Sequence, residues 1–360
     1  MSKSPQNRFL PGHVPTMRDV AARAGVAPAT VSNVLSGRRQ VRPELRDRVT
    51  AAIAATGYRP NQLASSLRRM RTDTVGIVVP DLTNPFFAAL VHRLEDLAAE
   101  DGYQILLVGS NEDEAREEDR LRTLLSRQID GLIVAPARDE TAALRTNRGR
   151  LPPTVLMDRG FGHAEFDTVT ADNTEAVRQG CAHLIALGHR DIAFAVTSPA
   201  LDNMRERIDA YRAALAAAGL GDRTRILAGG FDVEGSRGVI EQELLRAEPP
   251  SAIFAGNYVA TLAAIKAIRA LDLDFPGEVS LLGFDDTDWM TVLRPYLSVV
   301  AQPVAAMAEA VWSLLRERLA DPQGPRRHLR LPCTLALRES TQRARIAVDD
   351  RAKVPISLSS

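Results

Sequence analysis

The sequence predicts a multidomain chain, in which an all-α helix-turn-helix head at the amino end precedes a two-lobed α/β body of parallel sheets flanked by helices. Three observations predict it. Positive charge is crowded into one short segment, that segment reads as brief helices separated by a glycine, and the chain beyond Thr74 alternates apolar runs with amphipathic ones. At 360 residues the chain exceeds one ordinary core and suits a small module plus one or two larger domains.

The formal charges cancel, 45 basic against 45 acidic. Between Thr16 and Thr72, however, eleven arginines face only Asp19, Glu44 and Asp47, so this stretch carries about +8 and the remainder carries the balance. One end is suited to a polyanion. The opening MSKSPQNRFLPGHVP lacks the apolar core of about 7–15 residues that marks a secretory signal, and residues 1–15 read as a structureless tail. Apolar runs such as Val75 to Val79 fall far short of the roughly 20 residues of a membrane span. A soluble, cytoplasmic chain is expected. Cys181 and Cys333 stand far apart without a CxxC or Cys/His cluster, which predicts reduced thiols, and neither a metal nor a cofactor is expected.

The head begins at TMRDVAARAG, where Thr16 and Asp19 have capping-box spacing for a short helix with Val20, Ala21 and Ala24 as its apolar stripe. Gly25 supplies a tight turn before a second helix beginning near Pro28. In such a unit the second helix enters the major groove of DNA, which nominates Pro28, Ala29, Thr30, Ser32 and Asn33 as base-reading residues and turns Val31 and Val34 to the core. Leu45, Val49 and Ile53 recur every four residues to predict a third helix with its arginines outside. An ordinary helical hairpin is the bland alternative, weakened by this third helix.

DVAARAGVAPATVSNVLSG followed by RVTAAIAATGYRPNQLASSLR resembles the head and hinge of the lactose repressor and galactose repressor family of bacterial transcription regulators. The resemblance implies a head over 16–58 and a hinge helix and linker over 59–73, with Leu67 wedging into the minor groove when two subunits meet on an operator. It adds Thr16, Asn61, Ala64 and Arg68 to the DNA-contacting set; Arg69 and Arg71 divide between phosphate contact and solvated linker. The chain departs from the family pattern at Ala27, Asn33 and Ser65.

The body alternates TVGIVVP, a helix over Phe86 to Ala99, YQILLVG, a helix over Glu114 to Leu125, and DGLIVAP. The alternation resumes at DIAFAVT, SAIFAG and VSLLGFD after a crossing near Val169 to Asn173, which implies two similar lobes. Ligands of such sheets bind at the carboxyl ends of strands, so the cleft between lobes is the expected site. Asn84, Asp158 with Arg159, Asn257 and Asp285 stand at those ends, although each alone is equally an ordinary turn or cap residue.

The resemblance extends over this body through VPDLTNPFF, SRQIDGLIV, VTADN, ALGHRDIAF, LLGFDD and RPYLSVVAQP. It implies a fold like that of the periplasmic binding proteins over 74–345, with lobe 1 at about 74–172 plus 303–330, lobe 2 at about 173–302 plus 331–345, and a tail over 346–360. Carried over position by position, it places an effector among Asn84, Phe86, Asp158, Arg207, Phe231, Asn257 and Asp285, with Arg205 secondary. Carboxylates and amides bind vicinal hydroxyls in pairs and arginine donates a fork, so a sugar leads. A sugar acid stands beside it because Arg159 and Arg207 suit a carboxylate, and Tyr258 departs from the family's usual Asp. A purine or nucleoside stacked on Phe86 or Phe231 is the alternative effector.

Asp158 and Asp285 also form a conceivable acid and base pair, yet the sequence holds no P-loop, GxSxG elbow, HExxH helix or dinucleotide fingerprint, and His189 reads as structural. An enzyme is not expected. A sugar receptor that does not bind DNA would share the body but has no use for the basic head. The expected protein is a dimeric, effector-gated transcription regulator, read as a repressor of a palindromic operator; without a leucine heptad run in its tail it is not expected to pair into tetramers.

Overall fold

The computed structural model describes residues 15–36, 39–58, 71–138, 142–160, 164–292 and 294–345, in two compact units divided between Thr72 and Asp73. Asn61, Ala64, Leu67, Arg68 and Arg69, the tail over 346–360 and nearly all of the tail over 1–15 lie outside the described residues.

The first unit consists of α1 (Met17–Ala24), α2 (Pro28–Ser36) and α3 (Pro43–Thr56). Thr16 and Asp19 close the capping box: the Asp19 amide bonds the Thr16 hydroxyl at 3.4 Å, and Asp19 Oδ2 accepts the Thr16 amide at 2.7 Å. Gly25 ends α1 with φ of 62°, and its amide returns to the carbonyls of Ala21 and Ala22. Val20, Ala21, Ala24, Val31, Val49 and Ala52 form the core, with Val34 and Ile53 against it. Leu45 is only half-buried, and Arg48, expected to point away, folds over the α1 terminus and donates to the carbonyls of Ala24 (2.6 and 3.1 Å) and Gly25 (3.1 Å). Those carbonyls are left without helical partners, which is why an arginine is drawn to them.

The second unit holds two six-stranded sheets. In lobe 1, β1 (Thr74–Val79), β2 (Gln104–Gly109), β3 (Gly131–Val134), β4 (Thr154–Met157), β5 (Asp167–Ala171) and β11 (His328–Leu331) lie in the order β11-β5-β4-β3-β1-β2, all parallel. Strand alternation sorts its core. Val75, Ile77 and Val79 face α4 (Pro85–Glu100) and α11 (Val304–Ala320), whereas Val78 faces the side covered by α5 (Glu114–Ser126). A short α6 (Ala142–Asn147) follows β3.

In lobe 2, β6 (Ile192–Val196), β7 (Arg225–Ala228), β8 (Ala252–Ala255), β9 (Ser280–Phe284), β10 (Ser298–Ala301) and β12 (Thr334–Ala336) take the order β12-β10-β9-β8-β6-β7, with β12 antiparallel. Ile192, Phe194 and Val196 bury against α7 (Asn173–Ala186) and α8 (Asp202–Ala217); Ala193 and Ala195 face α9 (Val233–Leu244) and α10 (Tyr258–Ala270). The chain passes between lobes after β5, after β10, and between β11 and β12. These crossings set the carboxyl ends of β4, β8 and β9 around one cleft.

Candidate functional site

Asp158 follows β4 and Asp285 follows β9, each in the left-handed region with φ of 64° and 67°. Both are nearly fully buried. Burial, the largest influence, pushes both carboxyls above their ordinary value; Arg159 and then Arg207 oppose it at Asp158, and Arg207 opposes it at Asp285. Asp285 Oδ2 accepts the Tyr258 amide at 3.1 Å and Oδ1 accepts Gln302 Nε2 at 2.7 Å.

Arg207, on α8, is held in place by three contacts. Its Nε donates to Asn173 Oδ1 at 2.8 Å, its Nη1 to the Gly256 carbonyl at 2.6 Å, and its guanidinium carbon lies 3.8 Å from the centroid of Phe284. Burial pushes its pKa down, against the pull of Asp158 and Asp285. Asp158, Arg207 and Asp285 thus form one buried, charge-coupled group drawn from both lobes.

Asn203, one turn before Arg207 on α8, is a residue that the sequence reading missed. Its Nδ2 donates to Asp158 Oδ2 at 3.1 Å, and its own buried Oδ1 has no partner among the described residues. Its spacing of four from Arg207 was the available signal, because residues so placed share a helix face. Asn173, within VTADN, was missed as the holder of Arg207.

The other expected residues divide. Phe86 lines a cavity of about 460 Å³ together with Asp285, Thr287, Trp289, Gln302 and Val304, and the buried Oγ1 of Thr287 and Oε1 of Gln302 there lack partners among the described residues. Asn84 and Asn257 act as helix caps, accepting the amides of Phe86 (3.0 Å) and Ala260 (2.9 Å); Asn257 also donates to Thr197 Oγ1 at 3.0 Å. Phe231 lies under the Arg138 guanidinium at 5.3 Å. Arg205 bonds the Ala200 carbonyl at 2.9 Å and pairs with Asp202, away from the trio. Arg159 turns to Glu112.

His189 is buried and bonds Ser251 Oγ at 2.9 Å and the Gln342 carbonyl at 3.0 Å. Cys333 is half-buried at the crossing into β12, with its thiol pushed up to about 11 by burial, and Cys181 is raised to about 12 by the same cause. In the head, Pro28 and Ala29 are exposed at the start of α2, with Thr30, Ser32 and Asn33 partly exposed along it. Thr16 is exposed, and its hydroxyl bonds Asp19 Oδ2 at 2.7 Å. No helix among the described residues is long and apolar enough to cross a membrane.

Residues 16–61 match the family of bacterial regulatory proteins, lacI family, and residues 181–341 match the periplasmic binding protein-like domain. The chain is 34% identical over 329 residues to the HTH-type transcriptional regulator PtxS of Pseudomonas plecoglossicida, covering 91% of this chain and 95% of the relative. Among solved structures it resembles a complex of the transcriptional regulator CelR with cellobiose, at 30% identity and a TM-score of 0.68 over 91% of this chain and 99% of the other. A lac repressor dimer bound to operator and the anti-inducer ONPF shares the fold, with a TM-score of 0.82 at 23% identity over 92% of this chain and all of that chain.

Proposed function

The chain belongs to the lacI family of bacterial regulatory proteins and is a DNA-binding transcription regulator, and on that premise we propose that it represses from a palindromic operator as a homodimer gated by a sugar or sugar acid in the cleft. The observation that carries the ligand is the buried group of Asp158, Arg207 and Asp285, flanked by oxygens of Asn203, Thr287 and Gln302 that have no partner among the described residues. Oxygens left unpaired in a buried site are satisfied by a ligand that brings many donors. A polyhydroxylated molecule does this. That the structure of a regulator of 30% identity is a complex with cellobiose is in keeping.

The same geometry supports binding over catalysis. Asp158 and Asp285 are each already bonded to orienting amides, and His189 precedes β6, at the end of the sheet away from the cleft, where it bonds Ser251 and Gln342. The nucleoside alternative has less to stand on, since one face of Phe231 is taken by Arg138 and Phe86 is buried edge-on to Phe87 at 5.0 Å.

The head reads DNA through Pro28, Ala29, Thr30, Ser32 and Asn33 of α2, and twofold symmetry of the dimer gives the operator its palindrome. An effector shifts this equilibrium only by its unequal affinity for the two arrangements of the lobes. The test is operator binding by fluorescence anisotropy against a panel of neutral sugars, sugar acids and nucleosides, with wild type and the double variant Asp158→Asn, Asp285→Asn. A sugar response lost in the variant supports the cleft; an identical response in both proteins removes it.

A further inference from the structure

Arg159 follows Asp158 directly and is buried at the same end of β4, and both of its terminal nitrogens are bonded within the protein. Its Nη1 and Nη2 meet Glu112 Oε2 and Oε1 at 2.7 and 2.8 Å, Nη1 also reaches the Pro136 carbonyl at 3.1 Å, and Nε stands 3.5 Å from Asp158 Oδ2. This is a two-pronged pair in which the planar fork of arginine is matched by both carboxylate oxygens. The side chains are 7% and 14% exposed, so water screens the pair little. Glu112 and its neighbour Asn111 both adopt left-handed backbone, φ 57° and 53°, which non-glycine residues seldom do in succession. The loop after β2 is thus bent to carry this carboxylate, from 47 residues away, to the fork of Arg159.

The charge balance follows. Within the group that interacts directly with Asp158, the carboxylates of Asp158, Asp285 and Glu112 stand against the guanidiniums of Arg159 and Arg207, one negative charge in excess when all five are ionised. A carboxylate ligand would have to enter against that excess with Arg159 already occupied. We propose that Glu112 is a positioning residue that sets the charge class of the effector: by closing the fork of Arg159 it restricts the cleft to neutral polyols and turns away sugar acids. This rests on the reading of the cleft as the effector site. It selects between the two ligand chemistries that the isolated arginines leave open.

The test uses two matched pairs as probes, D-glucose with D-glucuronate and D-ribose with D-ribonate, titrated calorimetrically into the full chain. Glu112→Gln keeps an oxygen for one Arg159 nitrogen, and Glu112→Asn suits the left-handed backbone, so that one folding failure does not end the test. Either variant is expected to bind at least one acid roughly ten- to hundredfold better than wild type, the worth of a freed hydrogen bond between charged groups. Adding Arg159→Gln to the responding variant abolishes the gain. If both variants fold and take up neither acid better than wild type, or if the gain survives loss of Arg159, the proposal is overturned. The cleft reading fails separately, if Asp158→Asn leaves every binding signal unchanged.

Discussion

Asn203 Nδ2 donates to Asp158 Oδ2 at 3.1 Å, and this bond ties one lobe to the other, because Asp158 ends β4 of lobe 1 while Asn203 lies on α8 of lobe 2. Arg138 over Phe231 and the ion pair of Arg330 with Glu206 at 2.7 Å join the same two lobes. The cleft is therefore latched by polar contacts that an effector can add to or replace.

Asn203→Leu should loosen this latch. Removing the donor leaves the buried Asp158 oxygen unmet, at about 1–3 kcal/mol, and the lobes should open. Small-angle scattering would show a larger radius of gyration, and effector affinity should fall at least tenfold. Unchanged scattering and affinity would show that the bond does not hold the lobes.

The cleft carboxyls give the body a particular pH dependence. A carboxyl whose folded pKa is raised favours the folded state when protonated, so this contribution is complete below the ordinary 3.8 and is lost as pH rises through the folded value. Over that window the wild type should lose stability more steeply than the double variant Asp158→Asn, Asp285→Asn. Thermal melts across pH measure the difference, and parallel curves would contradict it.

These carboxyls were legible in the sequence because a polar residue at the end of a buried parallel strand stands out against its apolar run. The capping box of Thr16 and Asp19 was legible for the same local reason. What the sequence concealed came from distance. Nothing near Arg159 points to Glu112, and the partner of Asp158 depends on how α8 of one lobe meets β4 of the other. Asn84 and Asn257 show the opposite case, since their ordinary local role as helix caps is the one the hydrogen bonds display.

Arg48 should matter to the head alone. Arg48→Ala frees the carbonyls of Ala24 and Gly25, and Gly25→Ala sets a methyl carbon 2.7 Å from Arg48 Nη2 at a left-handed position. Each is expected to destabilise the head by about 1–3 kcal/mol. Operator affinity should fall while calorimetric effector binding stays as in wild type; equal losses in both would contradict the separation.

Thr30→Ala on α2 should cost operator binding about 1–3 kcal/mol if Thr30 reads a base edge. Its affinity for random duplex should remain close to wild type, since that is set by phosphate contacts. Competition titrations at one salt concentration separate the two, and an equal loss on both duplexes would assign Thr30 to the backbone.

Gating of an operator-reading head by a ligand in the cleft is read out in one step by selection from a random duplex library at fixed moderate salt. The selection is run with and without pools of neutral sugars, sugar acids and nucleosides. One palindrome should be enriched, and its retention should change with the neutral sugars. Retention without any enriched sequence, unaffected by every pool, would contradict such gating and leave only salt-dependent attraction of a basic segment for DNA.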